Sequence, residues 1–146
     1  KKIPLNKKFV KDNDNIESAF AKTAKDNNVK DYDKSIAANF IKKSASIILN
    51  LKKYHNRKRP YELDSSLKAT VLKSMQTPSY PSGHSAQGTG IAKLLADKYP
   101  KVKSAFLKTG ENISYSRSVA RAHYKSDTKM GEQLGNSMYK HIKNKI

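Results

Sequence analysis

The sequence predicts an all-α fold, a compact bundle of about five to seven helices with its chemistry-bearing residues at helix ends and loops. Three observations predict it. Apolar residues recur at three- to four-residue steps along several long stretches. Alternating apolar-polar runs and Asn-Gly hairpin turns are missing. The breaks between the stretches carry the Asn, Asp, Ser and Pro residues that start and stop helices.

Taken in order, residues 1–14 are polar and rich in Lys, Asn and Asp, which predicts a loose N-terminal segment. Asn15 is placed to cap a short helix running to Lys25. Asp31 or Asp33 precedes a long amphipathic helix with Ile36, Phe40, Ile41, Ile47, Ile48 and Leu51 on its apolar side, ending near Tyr54. A basic loop, His55 to Tyr61, follows and is stopped by Pro60. Asp64 then caps a shorter helix bearing Leu67, Val71 and Leu72. After a loop from Gln76 to Pro81 with two prolines, Ser82 to Lys98 reads as a helix with Ile91, Leu94 and Leu95 inward. Tyr99-Pro100 closes it. Lys101 to about Ala122 is the next, with Val102, Phe106, Ile113 and Val119. Ser126 or Asp127 caps the last, which carries Met130, Leu134, Met138 and Ile142.

The 146 residues suit one domain, 1–146, without an internal repeat, linker or low-complexity block. With no Cys, neither a disulfide nor a thiolate metal site can form, so a packed core must carry the fold. The densest apolar run, Ile47 to Leu51, is far short of the roughly 20 residues a membrane span needs. No basic-headed apolar leader opens the sequence. The formal charge of +18 sets up a field that attracts nucleic acid, acidic surfaces or phosphorylated small molecules. Against a nucleic-acid reader stand 8% aromatic content, no Trp and no basic-aromatic interleaving. Only four of the 30 cations are Arg: Arg57, Arg59, Arg117 and Arg121. In a chain that uses Lys for general charge, each Arg raises the question of a planar, bidentate fork.

Three segments combine phosphate-suited residues with histidine: Lys52-x6-Arg59-Pro60, Pro81-Ser82-Gly83-His84, and Ser116-Arg117-x5-His123-x3-Asp127. A helix opening at Ser82 exposes unpaired N–H groups, and Gly83 has no side chain to keep an anion from them. Arg59 and Arg117 can each offer paired donors to a phosphoryl group, with Lys52 as a point charge. His84 and His123 can act as nucleophile or proton donor. Asp127, four residues after His123, is near enough to hold one ring N–H and fix its tautomer. Singly, each feature is ordinary: solvated charge, a capped turn, a chance His-Asp pair. Their conjunction in one order supplies the cations, anion turn, two imidazoles and orienting acid that phosphoryl transfer uses. A metal site lacks further ligands at suitable spacing, and His55 and His141, without such partners, read as surface residues.

These segments resemble the signature of the type 2 phosphatidic acid phosphatase superfamily, which also holds bacterial class A non-specific acid phosphatases and vanadium haloperoxidases. Ser79-Tyr80-Pro81-Ser82-Gly83-His84 and Ala122-His123-Tyr124-Lys125-Ser126-Asp127 are similar to the soluble class A versions. The resemblance covers residues about 50 to 140. Ser118 and Arg121 depart from the pattern, where Val and small residues such as Gly are common.

The resemblance implies a phosphomonoesterase that needs no metal or other cofactor. His123 would be the nucleophile, giving a phosphohistidine; Asp127 would orient it, and His84 would be the acid and then the base. Lys52, Arg59, Ser82, Gly83 and Arg117 would bind the phosphoryl oxygens. Implied partners are small phosphorylated substrates, with phosphate or vanadate as site ligands, and acidic surfaces met through the net charge. No specific nucleic acid and no transmembrane segment is expected. A periplasmic or secreted homodimer follows from the resemblance alone. The alternatives are a vanadium haloperoxidase-like enzyme, a lipid phosphate phosphatase and a basic nucleic-acid-binding protein.

Overall fold

A computed structural model describes residues 6–63, 77–120 and 122–143, and these form an all-α fold of seven helices. They are α1 (Lys7–Asp12), α2 (Ile16–Asp26), α3 (Ser35–His55), α4 (Pro60–Leu63), α5 (Gly83–Lys98), α6 (Lys103–Val119) and α7 (Lys125–Lys143). A 3-10 turn, Pro100–Val102, leads into α6. The helix expected from Asp64, with Leu67, Val71 and Leu72, lies outside the described residues, as does Arg121.

Local signals set most of the boundaries. The Asn15 side chain accepts from Ser18 N at 2.9 Å and starts α2. Asp33 Oδ1 accepts from Ser35 N at 3.0 Å and starts α3. Ser82 Oγ accepts from Ser85 N at 3.2 Å and starts α5. At the far end of α3, Asn56 takes a left-handed conformation (φ 47°) with its N–H on Lys52 O, and Asn tolerates that region better than most residues. The chain turns sharply there, toward Arg57 and Arg59.

The N-terminal segment read as loose contains α1, capped by Asn6 through Phe9 N. Val10 anchors it by packing with Val119, Ala120 and Ala122. The last helix begins at Lys125, before the residues expected to cap it. Asp127 sits inside its first turn and reaches back to accept from Tyr124 N at 2.9 Å, the returning half of a capping box.

α5 is the central element, packing most extensively against α7 and α6 and less against α3 and α2. Its Ile91 and Leu95 join Phe20, Phe40, Phe106 and Ile113 in a core from which water is excluded. Each such side chain contributes roughly 1.5–3 kcal/mol by leaving water. One apolar assignment shifts in the folded chain. Ile47 is exposed, while Ile48 beside it is buried. On α7 the buried positions are Asp127, Gly131 and Gly135, whereas Met130, Leu134, Met138 and Ile142 sit beside the contact. A Cβ on Gly131 would lie 2.5 Å from Ser82 O. The α5–α7 contact is therefore backbone against backbone, and no large side chain fits on that line.

Candidate active site

The close contact with α7 places the start of α5 against the start of α7: Ser82 N donates to Asp127 O at 3.0 Å. Around this junction the structure gathers side chains from α3, the loop after it, the Thr77–Pro81 loop, α6 and α7. His123 is 8% exposed and Asp127 is fully buried. His123 Nδ1 lies 3.3 Å from Asp127 Oδ2, and His123 Nε2 lies 3.2 Å from an Arg59 guanidinium nitrogen. A guanidinium can only donate, so Nε2 accepts and the proton sits on Nδ1, facing the carboxylate. Burial, then the nearby Arg59 and Lys52, push the His123 ring down to about 3 despite Asp127. At neutral pH the imidazole is uncharged, and its Nε2 lone pair accepts from Arg59.

Asp127 is held from four sides. Its Oδ2 accepts from Ser79 Oγ and from Tyr124 N as well as facing His123, and its Oδ1 accepts from Arg57 at 2.6 Å. Burial works to raise its pKa, but the bonds from His123, Ser79 and Tyr124 outweigh it, and the carboxyl stays below its ordinary value. Arg57 in turn lies against the Tyr80 ring, 4.4 Å from its centroid.

Lys52 and Arg59 are buried cations aimed at the same place. Lys52 donates to Thr77 Oγ1 (3.1 Å) and Pro78 O (3.0 Å), and Arg59 to Thr77 O (2.9 Å) and Ala122 O (3.1 Å). Burial pushes the Lys52 amine down to about 7; Arg59 and Arg117 press the same way and Asp127 opposes them. Arg117, 1% exposed, is thus within electrostatic reach of Lys52. One of its terminal nitrogens donates to Asp14 Oδ1 at 3.0 Å, while Nε and Nη2 are buried without a hydrogen-bond partner among the described residues. Gly83 lies beside Lys52: a Cβ there would be 3.8 Å from Lys52 Cε and 3.4 Å from Ile48, ordinary contact distances. His84 follows it, with Nε2 2.7 Å from Asp14 O. Ser82 Oγ serves as the α5 cap.

The structure links the eight residues singled out from sequence pairwise: Gly83 lies beside Lys52, Ser82 N bonds Asp127 O, Arg59 and Asp127 meet His123, and His84 and Arg117 share Asp14. It adds Arg57, Ser79 and Asp14. Arg57 stood out only as one of four Arg, and Ser79 only as part of the quoted loop. Nothing local marked Asp14. His55 and His141 are exposed, and His55 packs edge-on to Tyr80. Among the described residues no three of His, Asp and Glu gather as metal ligands do, and no helix is long and apolar enough to cross a membrane.

Residues 35–142 match the PAP2 superfamily, and the chain belongs to it. A non-specific acid phosphatase of Salmonella typhimurium (strain LT2) is 33% identical over 87 residues, 58% of this chain and 35% of that protein. An acid phosphatase of Zymomonas mobilis is 35% identical over 80 residues, 52% of this chain and 30% of that protein. The match thus spans about a third of the length of each relative.

Proposed function

We propose that this chain is a phosphomonoesterase of the acid phosphatase type, using His123 as nucleophile and requiring no metal. The observation that carries the reading is the His123 ring: neutral, oriented by a buried Asp127, and presenting Nε2 beside Arg59 and within electrostatic reach of Lys52. Nε2 attacks phosphorus as the bond to the leaving oxygen breaks, and His84 gives that oxygen its proton. Water, deprotonated by His84, then attacks phosphorus; the P–N bond breaks and inorganic phosphate leaves. Lys52, Arg59 and Arg117 supply the positive charge a metal would otherwise bring, and the two Arg117 donors without a partner among the described residues suit phosphoryl oxygens. Neither packing nor a positive φ demands glycine at Gly83, which supports its role as open approach for an oxyanion. An activity panel tests the reading, using nucleotides, sugar phosphates, aryl phosphates and phosphatidic acid with and without chelator. Hydrolysis indifferent to chelator and competitively inhibited by vanadate is expected; no hydrolysis of any ester, or bromide oxidation with vanadate and peroxide in its place, would reject it.

Lys52 adds a pH signature. Its protonated form attracts an anion and its free amine does not, so binding of an anion that does not itself titrate should weaken as pH rises through about 7. Sulfate affinity, measured by calorimetry from pH 6 to 9, should fall by up to about tenfold per unit above that point. Lys52→Arg keeps the charge throughout and should flatten the fall. A wild-type profile flat from pH 6 to 9 would show that the Lys52 amine does not lose its charge beside the bound anion in this range.

A further inference from the structure

Asp14 lies outside the matched family segment and outside every motif in the sequence, yet it touches two residues of the site at once. Resting on the phosphatase reading, we propose that Asp14 is a positioning residue: its main-chain oxygen fixes the His84 ring while its carboxylate neutralises and aims Arg117.

The fold delivers Asp14 deliberately. It is the middle residue of an Asn13-Asp14-Asn15 corner whose neighbours are both committed to helix ends. The Asn13 side chain donates to Phe9 O at 2.9 Å behind α1, and Asn15 caps α2. α1 is in turn pinned to the end of α6, the helix that carries Arg117, through Val10 against Val119 and Ala120, and Phe9 against Tyr115. The corner has little freedom, and Asp14 Oδ1 ends 3.0 Å from Arg117 and 3.3 Å from His84 Nε2.

Two consequences follow from the donor rules. A main-chain oxygen only accepts, so His84 Nε2, 2.7 Å from Asp14 O, carries a hydrogen in the neutral as well as the protonated ring. The proton that His84 exchanges with the leaving oxygen and with water is therefore the one on Nδ1. Second, among the described residues the charged groups facing His84 are Asp14, from the corner between α1 and α2, and Arg117, from α6. Burial chiefly, and Arg117 with it, disfavour the imidazolium, while Asp14 opposes both. Without the carboxylate, His84 would lose its proton at lower pH and fail as an acid over more of the working range.

The test uses the full chain, with the His84 ring resonances assigned by their loss in a His84→Gln variant. Nitrogen-15 shifts should show the Nε2–H tautomer in the neutral ring, and Asp14→Asn should lower its titration midpoint by about one unit. In the same variant, turnover of an alkyl phosphate should fall about tenfold at neutral pH, with the alkaline limb of kcat moved to lower pH. p-Nitrophenyl phosphate, whose leaving group departs without a proton, should lose less. Asp14→Glu, which keeps the charge, should restore part of the midpoint. An Nδ1–H tautomer in wild type overturns the proposal even where Asp14→Asn does not fold. So does an unmoved midpoint, or equal loss on both esters. A wild-type chain inert toward every ester sinks the phosphatase reading instead, and the ring titration still decides what Asp14 does.

Discussion

Replacing His123 with alanine is expected to lower hydrolysis of every phosphomonoester by on the order of 10⁴-fold or more, because the proposed covalent route would lose its nucleophile. The loss should be one of chemistry and not of folding. His123 sits at the start of α7, and its removal leaves Asp127 with Arg57, Ser79 and the Tyr124 N–H as partners, so the buried carboxylate stays satisfied. The far-UV circular dichroism and the melting temperature should change little, and sulfate should still bind through the cations. In wild type, rapid quenching during turnover of a labelled ester should trap phosphate on His123 as an alkali-stable, acid-labile adduct. A His123→Ala enzyme working within tenfold of wild type, or a label carried by another residue, would reject the assignment.

The separation between what local sequence encodes and what it does not is physical. Helix starts were legible at Asn15 and Ser82, since a cap is made with an N–H three residues on and leaves its mark within that window. His123 and Asp127 were legible for the same reason: four residues separate them, and a helix start keeps them together. The cations were legible through composition, because Arg is scarce in this chain.

Asp14 had no such signal. Its partner Arg117 is 103 positions away, and in a polar segment one Asp resembles any other until the fold brings α1 onto α6. The buried line of α7 left no apolar signal for a different reason. Apolar periodicity finds the large side chains of a helix, whereas the axis of closest approach to α5 is occupied by the smallest. Large residues at Met130, Leu134 and Met138 flank that line. The periodic signal was real, but it pointed to the shoulders of the contact.

That contact makes Gly135 the position where a single methyl should cost most in stability. A Cβ there would stand inside van der Waals contact with Ala86 O and 3.0 Å from Ala86 C, both main-chain atoms of α5. No rotamer can relieve such a clash, so α7 would have to move off α5. The gain of about 0.5–1 kcal/mol that alanine brings to a helix interior is smaller than the cost of overpacking, roughly 1–3 kcal/mol and higher where backbone must shift. Gly135→Ala should destabilise by about 3 kcal/mol, a fall of roughly 6–12 °C in Tm. Hydrolysis should fall with it, because the same helix start carries Asp127 and takes the Ser82 N–H bond. Gly83→Ala is the internal control. Its methyl would meet no described neighbour closer than 3.4 Å, so Tm should hold, while kcat/KM should fall if the space over Gly83 is where the phosphoryl group comes in. A Gly135→Ala chain that melts with wild type would mean α5 and α7 do not meet backbone to backbone. Full activity in Gly83→Ala would move the oxyanion away from the start of α5.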